Sequence, residues 1–229
     1  MTTTAHIAPT VDHAGPGQPG RIRLVAGALA ASAATLATLV LTHPWGDRLD
    51  SSADKVLTYD LLLETHDRAW PAMFADCVAF AVVAVTVALG VAHLVRGRGR
   101  TLATVGGVLA VLGGILSAMG GFAFATIIWF AAALPESSGR ELVDVANDEL
   151  PHLMGAEMAG FVSFTLGSLL LAAALFRARA VPRLAVVLFV LLTLGLFAGL
   201  PGIAMDAVQA AQVLVTGAVA IPLWRRAAS

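Results

Sequence analysis

The sequence predicts an all-α, polytopic integral membrane helix bundle of about six transmembrane helices, with both termini in the cytoplasm. Three observations predict it. Of 229 residues, 58% are hydrophobic and only 13% charged, roughly half the charge of a soluble domain. Those charges are confined to a few short segments separated by long apolar runs. The basic residues, finally, concentrate on alternate connections between the runs. Hydrocarbon offers the backbone no hydrogen bonds, so the runs must be helices.

Residues 1–20 are rich in Thr, Pro and Gly, lack periodicity and read as a cytoplasmic tail. Arg21 and Arg23 then precede the first apolar run, Leu24 to Leu41. A basic pair before an apolar stretch also describes a signal peptide. At about 18 residues the run exceeds the usual signal core, so a retained anchor is expected. The second run is Trp70 to Val95 and the third Leu102 to about Leu134. The fourth is Gly155 to Phe176, the fifth Leu184 to Leu200 and the sixth Ile203 to Trp224. Each reaches the ~17 residues needed to cross ~30 Å of hydrocarbon, the fifth only just. The third, at about 33 residues and ~50 Å, must tilt, kink or project beyond the outer surface.

Orientation follows from the arginines and lysines. With the N-terminus inside, the inner segments hold Arg21, Arg23, Arg96, Arg98, Arg100, Arg177, Arg179, Arg183, Arg225 and Arg226. The outer segments hold only Arg48, Lys55, Arg68 and Arg140. Five or seven crossings would break this alternation. The domain therefore spans 21–226, with acidic outer segments at 43–69 and 135–154. Val56, Leu61, Leu62 and Leu63 in the first, and Leu142, Val145 and Leu150 in the second, suggest short amphipathic helices over the bundle. Dominance of Ala, Val, Leu and Gly points to a high-GC bacterial source, and so to the bacterial inner membrane.

In the third span Gly106–Gly107, Gly113–Gly114 and Gly120–Gly121 recur every seven residues, nearly two helical turns. Small residues on one face let a neighbouring backbone approach closely. Ala156, Gly160, Ser163 and Gly167 form a matching set in the fourth span. The two helices are predicted to be the tight pair at the bundle centre.

Asp76, Glu157 and Asp206 are the carboxylates set within apolar spans. They follow Pro71, Pro151 and Pro201, each expected to open a helix, by ~7–9 Å of helix axis. That spacing predicts similar depths beneath the outer surface. Asp206, Gln209, Gln212 and Thr216 share an arc of about 120° on the last span. Intramembrane carboxylates usually face water, a ligand or partner side chains, which makes these residues candidates for a ligand, proton or cation site. The helix dipole and the headgroups could also hold them in purely structural roles.

His66 and His152, on the outer side, are weak candidates for a metal, since no pair has a standard ligand spacing. No Gly-x-Ser-x-Gly elbow, His-Glu-x-x-His, Walker loop or dinucleotide fingerprint occurs, so no catalytic residue and no cofactor is predicted. The single cysteine, Cys77, forms no intrachain disulfide. A net charge of −1 gives no basis for nucleic-acid binding.

The basic turns Arg96-Gly97-Arg98-Gly99-Arg100 and Arg177-Ala178-Arg179-Ala180-Val181-Pro182-Arg183 carry one resemblance. The layout from 22 to 226 resembles the small multi-pass membrane proteins of uncharacterised function common in actinobacteria and firmicutes. That resemblance implies an architecture and lends no site residues.

The expected function is a non-enzymatic accessory, resistance or sensing component with an outward-facing polar pocket. A small proton- or cation-coupled transporter or channel is one alternative, and a membrane-embedded enzyme acting on a lipid or isoprenoid is the other. The lipid bilayer is the expected environment, and a second copy or another membrane protein the expected partner.

Overall fold

The computed structural model describes residues 18–43, 57–200 and 202–228. The described residues form eight α-helices: α1 Gln18–Leu41, α2 Tyr59–Leu94, α3 Arg100–Ala133, α4 Glu136–Asp148, α5 Leu150–Ala178, α6 Arg183–Gly195, α7 Gly202–Gly217 and α8 Ala220–Ala228. Five helical stretches are long and apolar enough to cross a membrane: α1, α2, α3, α5, and α7 continued into α8. Residues 1–17 of the tail and 44–56 of the predicted first outer segment lie outside the described residues.

Contacts between distant residues sort the helix ends. At one end an Arg23 guanidinium nitrogen donates to the Ala227 carbonyl at 3.2 Å. Arg226 donates to the carbonyls of His93 and Leu94 at 2.7 and 3.0 Å. Arg183 lies over the Phe176 ring, 5.8 Å from its centroid, at the same end. At the other end His43 meets Asp206, and Arg140 meets Asp60. The bundle thus has a basic end and an acidic end.

Two boundaries differ from those predicted. Pro71 does not open the second span but lies inside α2, which begins twelve residues earlier at Tyr59. Residues 59–69 of the predicted first outer segment therefore extend α2 and do not form a separate short helix. Proline's missing N–H removes one backbone bond, and the packing of Leu61, Leu62 and Ala69 holds the helix on either side. The fifth predicted span, 184–200, is a helix of 13 residues, only ~20 Å long. It is followed by a turn with Gly199 at φ +63°. Left-handed backbone suits glycine there. The chain still passes from the basic end at Arg183 to the acidic end at Asp206, its last stretch being non-helical.

Both long helices outrun the hydrocarbon. α2 has 36 residues and α3 has 34, so each is more than ~50 Å long against a core of ~30 Å. Their excess builds a second small apolar core with α4, of Leu62, Ala69, Phe124, Ile128, Val143 and Ala146. The acidic face of α4 is turned outward, with Gly139, Val143 and Ala146 buried beneath it. Asn147 fastens this cap. Its Oδ1 accepts from the Leu57 N–H and its Nδ2 donates to the Leu57 carbonyl, both at 2.9 Å.

The paired glycines of α3 divide their work. A Cβ at Gly106 would lie 2.8 Å from the Gly167 carbonyl oxygen, and one at Gly120 would lie 2.7 Å from the Glu157 Cβ. Gly113 faces the backbone of Gly160 and Phe164 in the same way. This row presses on α5. The second glycine of each pair faces α2 instead: Gly107 against Ala88, Gly114 against Ala84, and Gly121 against the Cys77 thiol. α3 is thereby wedged between two neighbours at backbone distance. The heptad spacing keeps both rows aligned over about four turns.

Candidate functional site

At the acidic end, α1, α2 and α7 enclose a cavity of about 270 Å³. Each helix contributes one face of one turn. α1 ends in Leu39 and Val40, with His43 one turn on; α2 supplies Ala72, Met73 and Asp76; α7 supplies Asp206 and Gln209. Spacings of three and four residues bring side chains onto a common helical face. His43 follows the C-terminus of α1, and Asp206 stands in the second turn of α7. A cation is favoured at the first position and an anion at the second.

His43 Nε2 and Asp206 Oδ2 are 3.1 Å apart, both side chains about three-quarters buried. Asp76 lies within electrostatic range of His43. Two carboxylates and one imidazole therefore share one small chamber. With both carboxylates ionised it carries net negative charge in either state of His43.

Glu157 does not line this chamber. Its backbone is pressed against Gly120, and its carbonyl lies 3.5 Å from the Ser117 hydroxyl. It remains within electrostatic range of Asp76. The polar stripe on α7 also divides. Gln209 stands at the chamber. Gln212 is buried away from it and donates to the Thr193 hydroxyl of α6 at 3.1 Å. The Thr216 hydroxyl bonds the Gln212 carbonyl at 2.9 Å. Of the predicted site residues, Asp76, Asp206 and Gln209 line the chamber, whereas Glu157 and Gln212 do not. Pro201, predicted to open the last span, lies outside the described residues.

His66 and His152 lie apart on α2 and α5. His66 stacks on Trp129 with ring centroids 4.6 Å apart and pairs with Asp67 at 3.0 Å. His152 pairs with Glu149 at 2.6 Å on the exposed start of α5. Among the described residues no group of three or more His, Cys, Asp or Glu side chains is placed to hold a metal ion.

His43 was not among the predicted site residues. Its one signal is position, as the first ionisable residue after the apolar run of α1, at the end where Asp206 begins the last span. Comparison with family models, curated proteins and solved structures finds no match. The functional reading therefore rests on the geometry.

Proposed function

We propose that the chain is a multi-pass component of a bacterial cell membrane, without catalysis of its own, whose chamber at the acidic end faces outward and takes up a small cation. The single observation behind this is the gathering of His43, Asp76 and Asp206 in one chamber. Arginine-rich ends are retained in the cytoplasm, so the basic end is assigned inside and the chamber outside. Six crossings follow if α6 and the turn after it complete the fifth. Acidic residues on α4 and on the start of α2 add a field that draws cations to the opening.

Its size argues for a small guest. At about 270 Å³ the chamber falls just under the ~300–1,000 Å³ of sites for drug-sized ligands. An alkylammonium group or a hydrated ion suits it better. Binding is favoured over passage because Leu36 and Ala37 on α1, Ala79 and Val83 on α2, and Ala210 and Val213 on α7 form one buried apolar cluster just beyond the polar residues. A charged guest would have to be desolvated to go further. The working partner would then be another membrane protein or a second copy, tested by co-purification in mild detergent.

Thermal unfolding of the purified protein with methylammonium, sodium or magnesium, at constant ionic strength, tests the reading. At least one of these cations should raise the midpoint of the wild type and leave Asp206→Asn unmoved. If none does, or if the variant responds equally, the chamber is not a cation site.

A further inference from the structure

A second, larger cavity of about 440 Å³ lies toward the basic end, between α2, α5, α6, α7 and α8. Its walls are almost wholly apolar, including Val87, Leu171, Val186 and Phe189. Three polar side chains interrupt them: Ser168 on α5, Thr216 on α7 and Arg225 on α8.

Thr216 donates to the Gln212 carbonyl, which leaves Ser168 and Arg225 uncommitted. The hydroxyls of Ser32, Thr65, Thr86, Thr193 and Thr216 each donate to the carbonyl one turn earlier. Ser168 does not. Its Oγ is the one buried side-chain polar atom without a hydrogen-bond partner among the described residues, and the residue is only 6% exposed. A buried hydroxyl without a partner costs ~1–3 kcal/mol, so something in the cavity should accept from it. Arg225 is the counterpart. Its neighbour Arg226 is spent on the carbonyls closing α2, whereas Arg225 has no hydrogen-bond or ion-pair partner among the described residues.

We propose that this cavity is a binding site for an anionic phospholipid of the leaflet at the basic end, with its phosphate at Arg225 and an acyl chain laid among the apolar walls. The complementarity is one-sided in the right way. The cavity offers apolar surface, one cation, one free hydroxyl donor and no carboxylate to repel an anion. A phospholipid offers acyl chain, a negative phosphate and ester carbonyls that only accept. Guanidinium pairs with phosphate by charge-assisted hydrogen bonds, and the hydrocarbon leaves bulk lipid for fitted contact with the walls. The site is independent of the cation chamber, since the two cavities share no lining residue.

The test is thermal unfolding in dodecyl maltoside with dioleoylphosphatidylglycerol, with dioleoylphosphatidylcholine and with glycerol phosphate. Phosphatidylglycerol should raise the midpoint saturably and more than phosphatidylcholine, and glycerol phosphate should have no effect. Arg225→Gln should erase the difference between the two lipids. A second measurement uses Ser168→Cys in a Cys77→Ala background, a near-isosteric change. Phosphatidylglycerol should slow alkylation of this thiol by N-ethylmaleimide several-fold, and phosphatidylcholine should slow it less. Equal midpoint shifts for the two lipids, a difference that survives Arg225→Gln, a shift by glycerol phosphate alone, or an unchanged alkylation rate would each overturn the proposal.

Discussion

His43 Nε2 lies 3.1 Å from Asp206 Oδ2, joining the end of α1 to the start of α7 across 163 residues of sequence. Both side chains are about three-quarters buried but open on the polar chamber. Asp206→Asn keeps the size and the hydrogen-bonding capacity. It should leave the unfolding midpoint of the cation-free protein within a degree or two of the wild type while abolishing the response to cations. A large loss of stability in cation-free buffer would instead mark the pair as structural.

The glycine rows make a sharper prediction about packing. Gly113 on α3 already touches the backbone of Gly160 and Phe164, so a methyl group there must push two helices apart. Overpacking of this kind costs ~1–3 kcal/mol. Gly113→Ala should lower stability in detergent by that order. Gly27→Ala on α1 is the control, because a Cβ there meets nothing within 4 Å. It should be neutral, or stabilising by up to ~1 kcal/mol through helix propensity. Chemical unfolding followed by circular dichroism measures both.

Asn147 is predicted to hold the cap over α2. Asn147→Ala leaves the Leu57 N–H and carbonyl without their partner, at a cost of ~1–3 kcal/mol if water does not replace it. The loss should be local. Amide exchange near Leu57 and at the start of α2 should accelerate while the α3–α5 pair stays protected. Uniform acceleration across all helices would show that the cap is not a separate unit.

Gln212 is predicted to matter little. It is tied to Thr193, whose hydroxyl also donates to the Phe189 carbonyl. Hydrogen bonds between membrane helices average ~0.6 kcal/mol. Gln212→Leu should therefore change stability by about that amount and leave cation binding intact, in contrast with Asp206→Asn. Loss of cation binding in Gln212→Leu would move the site away from the chamber.

Much of the fold was legible because hydrocarbon leaves the backbone few options. The runs at 24–41, 102–134 and 155–176 lie within or within one residue of α1, α3 and α5, and the glycine heptad already implied a close neighbour for α3. What periodicity could not show was the extension of α2 through Pro71. Local rules favour a helix start at proline, and only the tertiary contacts of Leu61, Leu62 and Ala69 outweigh them. Nor could it show that α6 ends as early as Gly195, since the run from Leu184 to Leu200 is almost wholly apolar and hydropathy does not register a turn. The site was half legible. Asp76 and Asp206 stood out by their cost in lipid, but the rotation of each helix decides which acid faces which neighbour. That rotation turns Glu157 toward Gly120 and brings in His43. The lower cavity left no trace in the sequence, because a serine and a terminal arginine are unremarkable until the helices around them leave a gap.

The account depends most on the chamber facing outward while the basic end faces the cytoplasm. Single cysteines at Gln209 and at Arg98, each in a Cys77→Ala background, can be probed in intact cells with a membrane-impermeant maleimide. The account predicts that Gln209→Cys is labelled from outside, more slowly when a bound cation fills the chamber, and that Arg98→Cys is labelled only after the membrane is permeabilised. Labelling of Arg98→Cys in intact cells, with Gln209→Cys protected, would contradict it.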